Sequence, residues 1–172
     1  PSNYNGHDLI APLWRDECTD GSASLGDPYS DSLALIAIKS VSVDVPSGLV
    51  EALVKQQNAS GEFFFSGEDG SKFADPDTTG LAIQALDGIG GADASAALTK
   101  AVAWATKHET SGGYWTSAGG SDVNTTALIG SALNEQGKSV SKSISWMIAQ
   151  QTKAGGKGLP ASLSAPKDPD VM

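Results

Sequence analysis

Cysteine is almost missing from this chain. Cys18 stands alone in 172 residues, so no internal disulfide can form and a small disulfide-stapled fold is disfavoured. Histidine stops at two, His7 and His108. With Cys18 that leaves three thiol or imidazole ligands, one short of a structural zinc site with four dedicated ligands. Basic residues are also scarce. Lysine plus arginine number 11 against 20 acids, a net charge of −9. Nucleic acid and anionic membrane surfaces both call for a basic face, so neither is expected as a partner. No run of about 18 apolar residues exists, which excludes a membrane-spanning helix from the reading. Alternation of period two persists nowhere, so strands are not expected beyond a short extended piece at Phe63-Phe64-Phe65. The chain also lacks Gly-x-Ser-x-Gly, His-Glu-x-x-His and a phosphate loop.

What the chain does have is a repeat. Asp75-Pro76-Asp77-Thr78-Thr79 leads into the apolar run Leu81-Ala82-Ile83-Gln84-Ala85-Leu86. Asp27-Pro28-Tyr29-Ser30 leads into Leu33 to Ile38, and Asp122-Val123-Asn124-Thr125 leads into Ala127 to Leu133. Asp168-Pro169-Asp170-Val171 begins the same pattern again. Successive leading aspartates are 48, 47 and 46 positions apart, a period that marks a repeat architecture. The repeats run over about 27–74, 75–121 and 122–167, with partial copies at both ends. Residues 1–172 read as one domain, expected to be a piece of a longer chain.

Each repeat reads as two helices. The first of each pair, over about Ser30–Ser40, Thr78–Asp87 and Thr125–Glu135, is apolar on nearly all sides, as a buried helix is. The second, over about Ser47–Gln57, Ala94–His108 and Ser141–Gln151, carries one apolar stripe. Leu49, Val50, Leu53 and Val54 form the first stripe. Leu98, Ala101, Val102 and Ala105 form the next, and Ile144, Met147 and Ile148 the last. The fold class is therefore all-α: antiparallel helical hairpins with inner and outer helix layers. A further helix is expected from Asp8 to about Asp20, the second half of a hairpin.

The outer helices end alike. Leu53-xxx-Gln57-xxx-Gly61-x-Phe63 and Trp104-xxx-His108-xxx-Gly112-x-Tyr114 share one spacing, and Trp146-xxx-Gln150 repeats its first half. A polar side chain there bonds freed helix carbonyls, the glycine permits a left-handed turn, and the aromatic folds back. These residues resemble the Gln-Trp repeats of the α/α-toroid superfamily, which includes terpenoid and squalene cyclases and protein prenyltransferase β-subunits. The chain is most similar to secreted bacterial proteins with a prenyltransferase/squalene oxidase repeat. The resemblance implies part of an α/α toroid. About six hairpins close such a ring, and three full ones are present here.

Several residues invite a chemical reading. Asp75 and Asp77 compare with the Asp-x-Asp-Asp acid of class II cyclases, although Thr78 replaces the third acid. Their plainer reading is capping, since side-chain oxygens at a helix start accept from orphan N–H groups. Asp16-Glu17-Cys18 has the Asp-x-Cys form of the prenyltransferase zinc site, but His108 is accounted for by the helix-end motif. Cys18 is followed by Thr19, so the Cys-Gly-Glu-Gln stretch of thioester domains is absent. Aromatics are 6% of the chain and none lies in the inner apolar runs, which speaks against a cavity lined for carbocations. No catalytic residue, metal or cofactor is expected. The candidate ligand contacts are Asp75, Asp77, Tyr114, Trp115, Asp122 and Asn124.

The function expected from this is a non-catalytic ligand-binding or scaffold module of a secreted or cell-surface bacterial protein. Its partners would be a ligand or other domains of the same protein. One alternative is a cyclase- or prenyltransferase-like enzyme acting on an isoprenoid or lipid, with its active parts in further hairpins. Another is a structural spacer, or a unit that self-associates through open hairpin edges.

Overall fold

Three helices begin on an aspartate whose backbone is extended and whose carboxylate turns back onto the first turn. Asp27 accepts from the Ser30 amide at 2.9 Å, Asp75 from that of Thr78 at 2.8 Å, and Asp122 from that of Thr125 at 2.8 Å. Each bond satisfies a donor that the helix itself cannot, and a negative charge there suits the helix dipole. The computed structural model describes residues 3–8, 24–41, 44–66, 71–117 and 120–153. Among them are six helices: α1 (Pro28–Ser40), α2 (Ser47–Lys55), α3 (Pro76–Leu86), α4 (Ala92–Lys107), α5 (Val123–Glu135) and α6 (Ser141–Lys153). The three inner helices start two residues earlier than the apolar pattern indicates. Pro28 and Pro76 occupy the first helical position, where a missing N–H costs nothing.

Short links join α1 to α2, α3 to α4 and α5 to α6, and each pair packs together. The hairpins then stack. α3 lies against both α1 and α5, and α2 lies against α4. The inner helices run parallel, because like ends meet. Lys39, near the end of α1, donates to the carbonyls of Gln84 at 2.9 Å and Ala85 at 3.1 Å, and also to that of Asp87, all at the end of α3. Gln136, just past α5, donates to Asp87 at 2.7 Å. The core runs along this stack through Leu35, Ile38, Leu49, Leu53, Ile83, Leu86 and Ile129, all buried. Each such side chain contributes about 1.5–3 kcal/mol by leaving water. α3, flanked on both sides, buries Thr78 through Ile83 without a break, as its all-round apolar pattern predicts.

The strands are a correction. Three two-stranded antiparallel hairpins are present among the described residues: β1 (Asn3–Tyr4) with β2 (His7–Asp8), β3 (Phe64–Ser66) with β4 (Lys72–Ala74), and β5 (Thr116–Ser117) with β6 (Gly120–Ser121). Two or three residues are too few to show alternation, so the pattern conceals them. Only the Phe63–Phe65 piece is legible. Asp8 pairs with Asn3 in β2 instead of starting a helix. The remainder of that expected helix lies outside the described residues, as does the partial repeat from Asp168.

The later two hairpins have a structural purpose: they carry the chain from an outer helix to the next cap. The Asp75 amide donates to the Phe63 carbonyl at 3.0 Å, and the Asp122 amide to that of Trp115 at 3.4 Å. One threonine then pins each base. Thr79 Oγ1 accepts from the Phe63 amide at 3.0 Å, and Thr126 Oγ1 from the Trp115 amide at 3.2 Å. Asp31 holds the same place in α1. Fully buried, it accepts from the Leu25 amide at 2.6 Å, Ser24 at 2.9 Å and Gln56 at 2.5 Å.

The helix-end motif also needs a shift of register. Gln56, not Gln57, is the counterpart of His108 and Gln150. Gln56 Nε2 reaches the Ala52 carbonyl at 3.1 Å, His108 Nδ1 lies 2.8 Å from that of Trp104, and Gln150 Nε2 reaches that of Trp146 at 3.2 Å. The loop amides agree. Gly61 N donates to Asn58 O at 3.0 Å, and Gly113 N to Thr110 O at 2.9 Å. Gly113 is therefore the partner of Gly61, and Trp115 the partner of Phe63. Two adjacent glutamines and two adjacent glycines make the alignment ambiguous by one residue. Gln57 has a different task, bridging repeats by donating to the Ala97 carbonyl at 2.8 Å.

Gly61 and Gly113 explain how neighbouring outer layers meet. Both have positive φ, +105° and +82°. A Cβ at Gly61 would stand 2.5 Å from the Lys100 carbonyl oxygen in α4. One at Gly113 would stand 2.6 Å from the Lys142 carbonyl carbon in α6. Each turn is pressed onto the backbone of the next outer helix, and only glycine fits.

The last outer helix departs from its stripe. Ile144 and Ile148 are exposed, while Ser143 and Gln150 are buried. The two isoleucines face away from the described repeats, and nothing among the described residues packs over them. No helix among the described residues is long and apolar enough to cross a membrane.

Candidate functional site

The parallel stacking of α3 on α5 brings four of the six candidate residues together. Asp75 and Asp77 belong to the start of α3, Asp122 and Asn124 to the start of α5. Asp75 and Asp122 are engaged as caps. Asp75 also accepts from the Thr78 hydroxyl at 2.6 Å, so its Oδ2 holds both the amide and the side chain of one residue.

Asp77 is different. It sits at the second position of α3, past the cap, and no backbone amide of its own helix reaches its carboxylate. Its Oδ2 instead accepts from Asn124 Nδ2 at 3.2 Å across the junction. Its Oδ1 is shielded from solvent, as is Thr125 Oγ1, and neither completes a hydrogen bond of good geometry. Burial pushes the Asp77 carboxyl above its ordinary range. The neighbouring charges of Asp75 and Asp122 push the same way, while the Thr125 hydroxyl and the Asn124 amide pull it back. The expectation that every acid at these starts is a cap holds for Asp27, Asp75 and Asp122, and not for Asp77.

Tyr114 and Trp115 lie elsewhere, at the end of α4. Trp115 is only 1% exposed, and its indole N–H donates to the Ala105 carbonyl at 2.8 Å. It is a core residue that closes its hairpin and offers no face to a ligand. Tyr114 is half-buried against Trp146, ring centroids 5.0 Å apart. His108 stacks on Trp104 at 4.3 Å and belongs to the helix end. Asp16, Glu17 and Cys18 lie outside the described residues.

Other features were missed by sequence reasoning. Phe65 and Phe73 face each other across the β3–β4 hairpin at 5.9 Å, both exposed. Lys72 Nζ lies 4.2 Å over the Phe64 ring, a cation–π contact that covers one face of that otherwise buried ring. Phe73 lies in a polar stretch, where a single aromatic gives little warning. An open groove of about 770 Å³ runs between α2 and the α3–α4 link, with Val50, Val54 and Ile89 as its apolar wall. Lys39 also lines it. Burial lowers its pKa, while the charges of Asp87 and Glu135 oppose that shift. The half-buried side of the α2 stripe, Val50 and Val54, was the available signal for this groove.

Among the described residues, no group of three or more histidine, cysteine, aspartate or glutamate side chains is placed to hold a metal ion. No protein-family model matches the chain, and no curated protein matches it.

Proposed function

We propose that this chain is a non-catalytic binding or scaffold module, a run of α/α-toroid hairpins from a secreted or cell-surface bacterial protein. The observation that carries the reading is the engagement of the acids. Asp75 and Asp122 hold the Thr78 and Thr125 amides, and Asp77 holds the Asn124 amide of the next repeat. Carboxylates committed to helix starts and repeat junctions build a frame. The surfaces left for recognition are the β3–β4 hairpin with Phe65 and Phe73 and the groove beside Val50 and Val54. Loops on a rigid helical stack are a common place for binding groups. The test is to incubate the protein with prenyl diphosphates and squalene-like lipids and analyse the mixture by mass spectrometry. No product is expected. Turnover that disappears in Asp77→Asn would overturn the proposal.

One observation favours a second reading. Asp77 is held protonated to higher pH than an ordinary aspartate by burial and by Asp75 and Asp122. A class II cyclase acid also requires a raised pKa. On that reading Asp77 would deliver a proton to an alkene, with the substrate cavity completed by further hairpins. The same incubation separates the two.

A further inference from the structure

The groove beside Val50 and Val54 has a counterpart one repeat on. An open groove of about 540 Å³ lies between α4 and the α5–α6 link. Both of its walls belong to described repeats, so it is internal to the stack. The register of Gln56 with His108 sets Val50 against Val102, Glu51 against Ala103 and Lys55 against Lys107. The glycines of the two links, Gly88 at φ +71° and Gly137 at φ +68°, set Ile89 against Lys138. The grooves share an aliphatic floor and differ in charge. In the first, Lys55 is paired with Glu51 at 3.7 Å, Lys39 is engaged by three carbonyls, and Asp93 adds a second acid. In the second, Leu98 and Val102 form a half-buried floor, Lys107 and Lys138 are exposed, and no acid lines the groove. Glu109 and Glu135, the acids nearest these lysines in sequence, are not part of its lining.

We propose that the groove between α4 and the α5–α6 link binds an extended acidic peptide, with carboxylates at Lys107 and Lys138 and an aliphatic side chain over Leu98 and Val102. The proposal rests on the reading of the chain as a binding module and names the partner of one of its surfaces. Charge selects the partner's sign. Two cations with no acid beside them stand out in a chain of net charge −9, and such a patch draws anions and turns cations away. The rest of the lining selects the partner's chemistry. It holds no aromatic ring for a base to stack on, as single-stranded nucleic acid requires. The hydroxyls of Thr99 and Thr106 donate to the carbonyls of Ser95 and Val102, each at 2.8 Å. Their oxygens are left as acceptors. An extended peptide has backbone N–H groups to give them, whereas a helix has already used its own and an acyl chain has none.

The test is fluorescence anisotropy of the whole chain with a labelled peptide alternating leucine and glutamate, beside a leucine–lysine twin and a serine–glutamate twin. The leucine–glutamate peptide should bind best, and less tightly as salt rises. Lys138→Glu and Ala103→Glu should each weaken that binding about tenfold; the second gives this groove the acid that Glu51 supplies to the first. Lys100→Glu is the control, an exposed lysine of α4 outside the groove, and should change binding less than about twofold. Circular dichroism confirms that all three variants keep the helical signal. A wild type that does not bind the leucine–glutamate peptide at millimolar concentration overturns the proposal. Equal binding of the leucine–lysine peptide does too, and so does an equal loss in Lys100→Glu, the mark of a general field. Equal binding of the serine–glutamate peptide would remove the aliphatic floor from the account, and binding of dodecanoate in place of the peptide would contradict the partner named. The lipid incubation stays independent of these outcomes. A chain that forms no product and binds no peptide is a scaffold, whereas turnover lost in Asp77→Asn refutes the binding-module reading itself.

Discussion

Replacing Gly61 with alanine tests the stacking of the repeats where it is tightest. The new Cβ would sit 2.5 Å from the Lys100 carbonyl oxygen and 2.9 Å from its carbon. Both are backbone atoms in the middle of α4, so no side chain can swing aside. The turn must lift away from α4, and the Gln57 bond to Ala97 goes with it. Two costs add. A side chain at φ +105° is strained by about 1–2 kcal/mol. Overpacking against a rigid neighbour costs about 1–3 kcal/mol more. The sum, about 2–5 kcal/mol, is a large part of the 5–15 kcal/mol that holds a typical domain together. For a chain of this length it corresponds to a fall in Tm of about 4–20 °C. Gly88→Ala is the control. Its φ is +71°, but nothing lies within 4 Å of its would-be Cβ, so it carries the strain cost alone, about 1 kcal/mol. Urea melts followed by circular dichroism give both values. Equal losses at Gly61 and Gly88 would show that the turn does not press on α4, and the reasoning would be refuted.

Three other perturbations follow from the same contacts. Asp75→Ala removes the cap of α3 and should cost about 1 kcal/mol in a urea melt, while Asp75→Asn should recover most of it; an alanine variant as stable as wild type would deny the cap. Asp77→Asn should change how stability depends on pH. The raised pKa of Asp77 means that the folded form binds its proton more tightly than the unfolded chain does. Its contribution therefore favours folding at low pH and declines as pH rises from the ordinary value of 3.8 through the raised one. Melts across that window should show a shallower decline in the variant, and parallel curves would contradict the assignment. Lys39→Met strips the shared donor from three carbonyls at the end of α3 and should cost about 1–3 kcal/mol, read as a lower urea midpoint; no change would mean that water replaces the ammonium freely.

Much of the helical frame could be read beforehand, and the reasons are local. An aspartate, followed by proline at α1 and α3 and by Val123 at α5, and then an apolar run specifies a cap and a helix within a few residues, and so the starts of α1, α3 and α5 are found to within two positions. The candidates that failed to join a site depended on distance. Trp115 looks like a loop aromatic until the turn at Gly113 folds it under α4. The alignment of Gln56 with His108 depends on which of two neighbouring glutamines faces the helix end, and the α-helical period alone does not decide that. Asp31 carries no signal at all. A charged residue in a first turn suggests a solvated side chain, and only the converging donors of Leu25, Ser24 and Gln56 explain its burial. The junction of Asp77 with Asn124 joins residues 47 positions apart. It became visible only once the inner helices proved to be parallel. Ile144 and Ile148 follow the stripe rule in sequence, yet both are exposed, with nothing among the described residues packed over them.

The whole account rests on α3 lying parallel between α1 and α5, with like ends together. The most direct measurement is a carbon-edited nuclear Overhauser spectrum of the labelled protein. It should connect Gly80 Hα with the side chain of Ile129, where a Gly80 Cβ would stand 3.3 Å from Ile129 Cγ1. It should also connect the Lys39 ε-methylene with the end of α3. Gly80 and Lys39 resonances that touch nothing in α5 and α3, respectively, would contradict the stack.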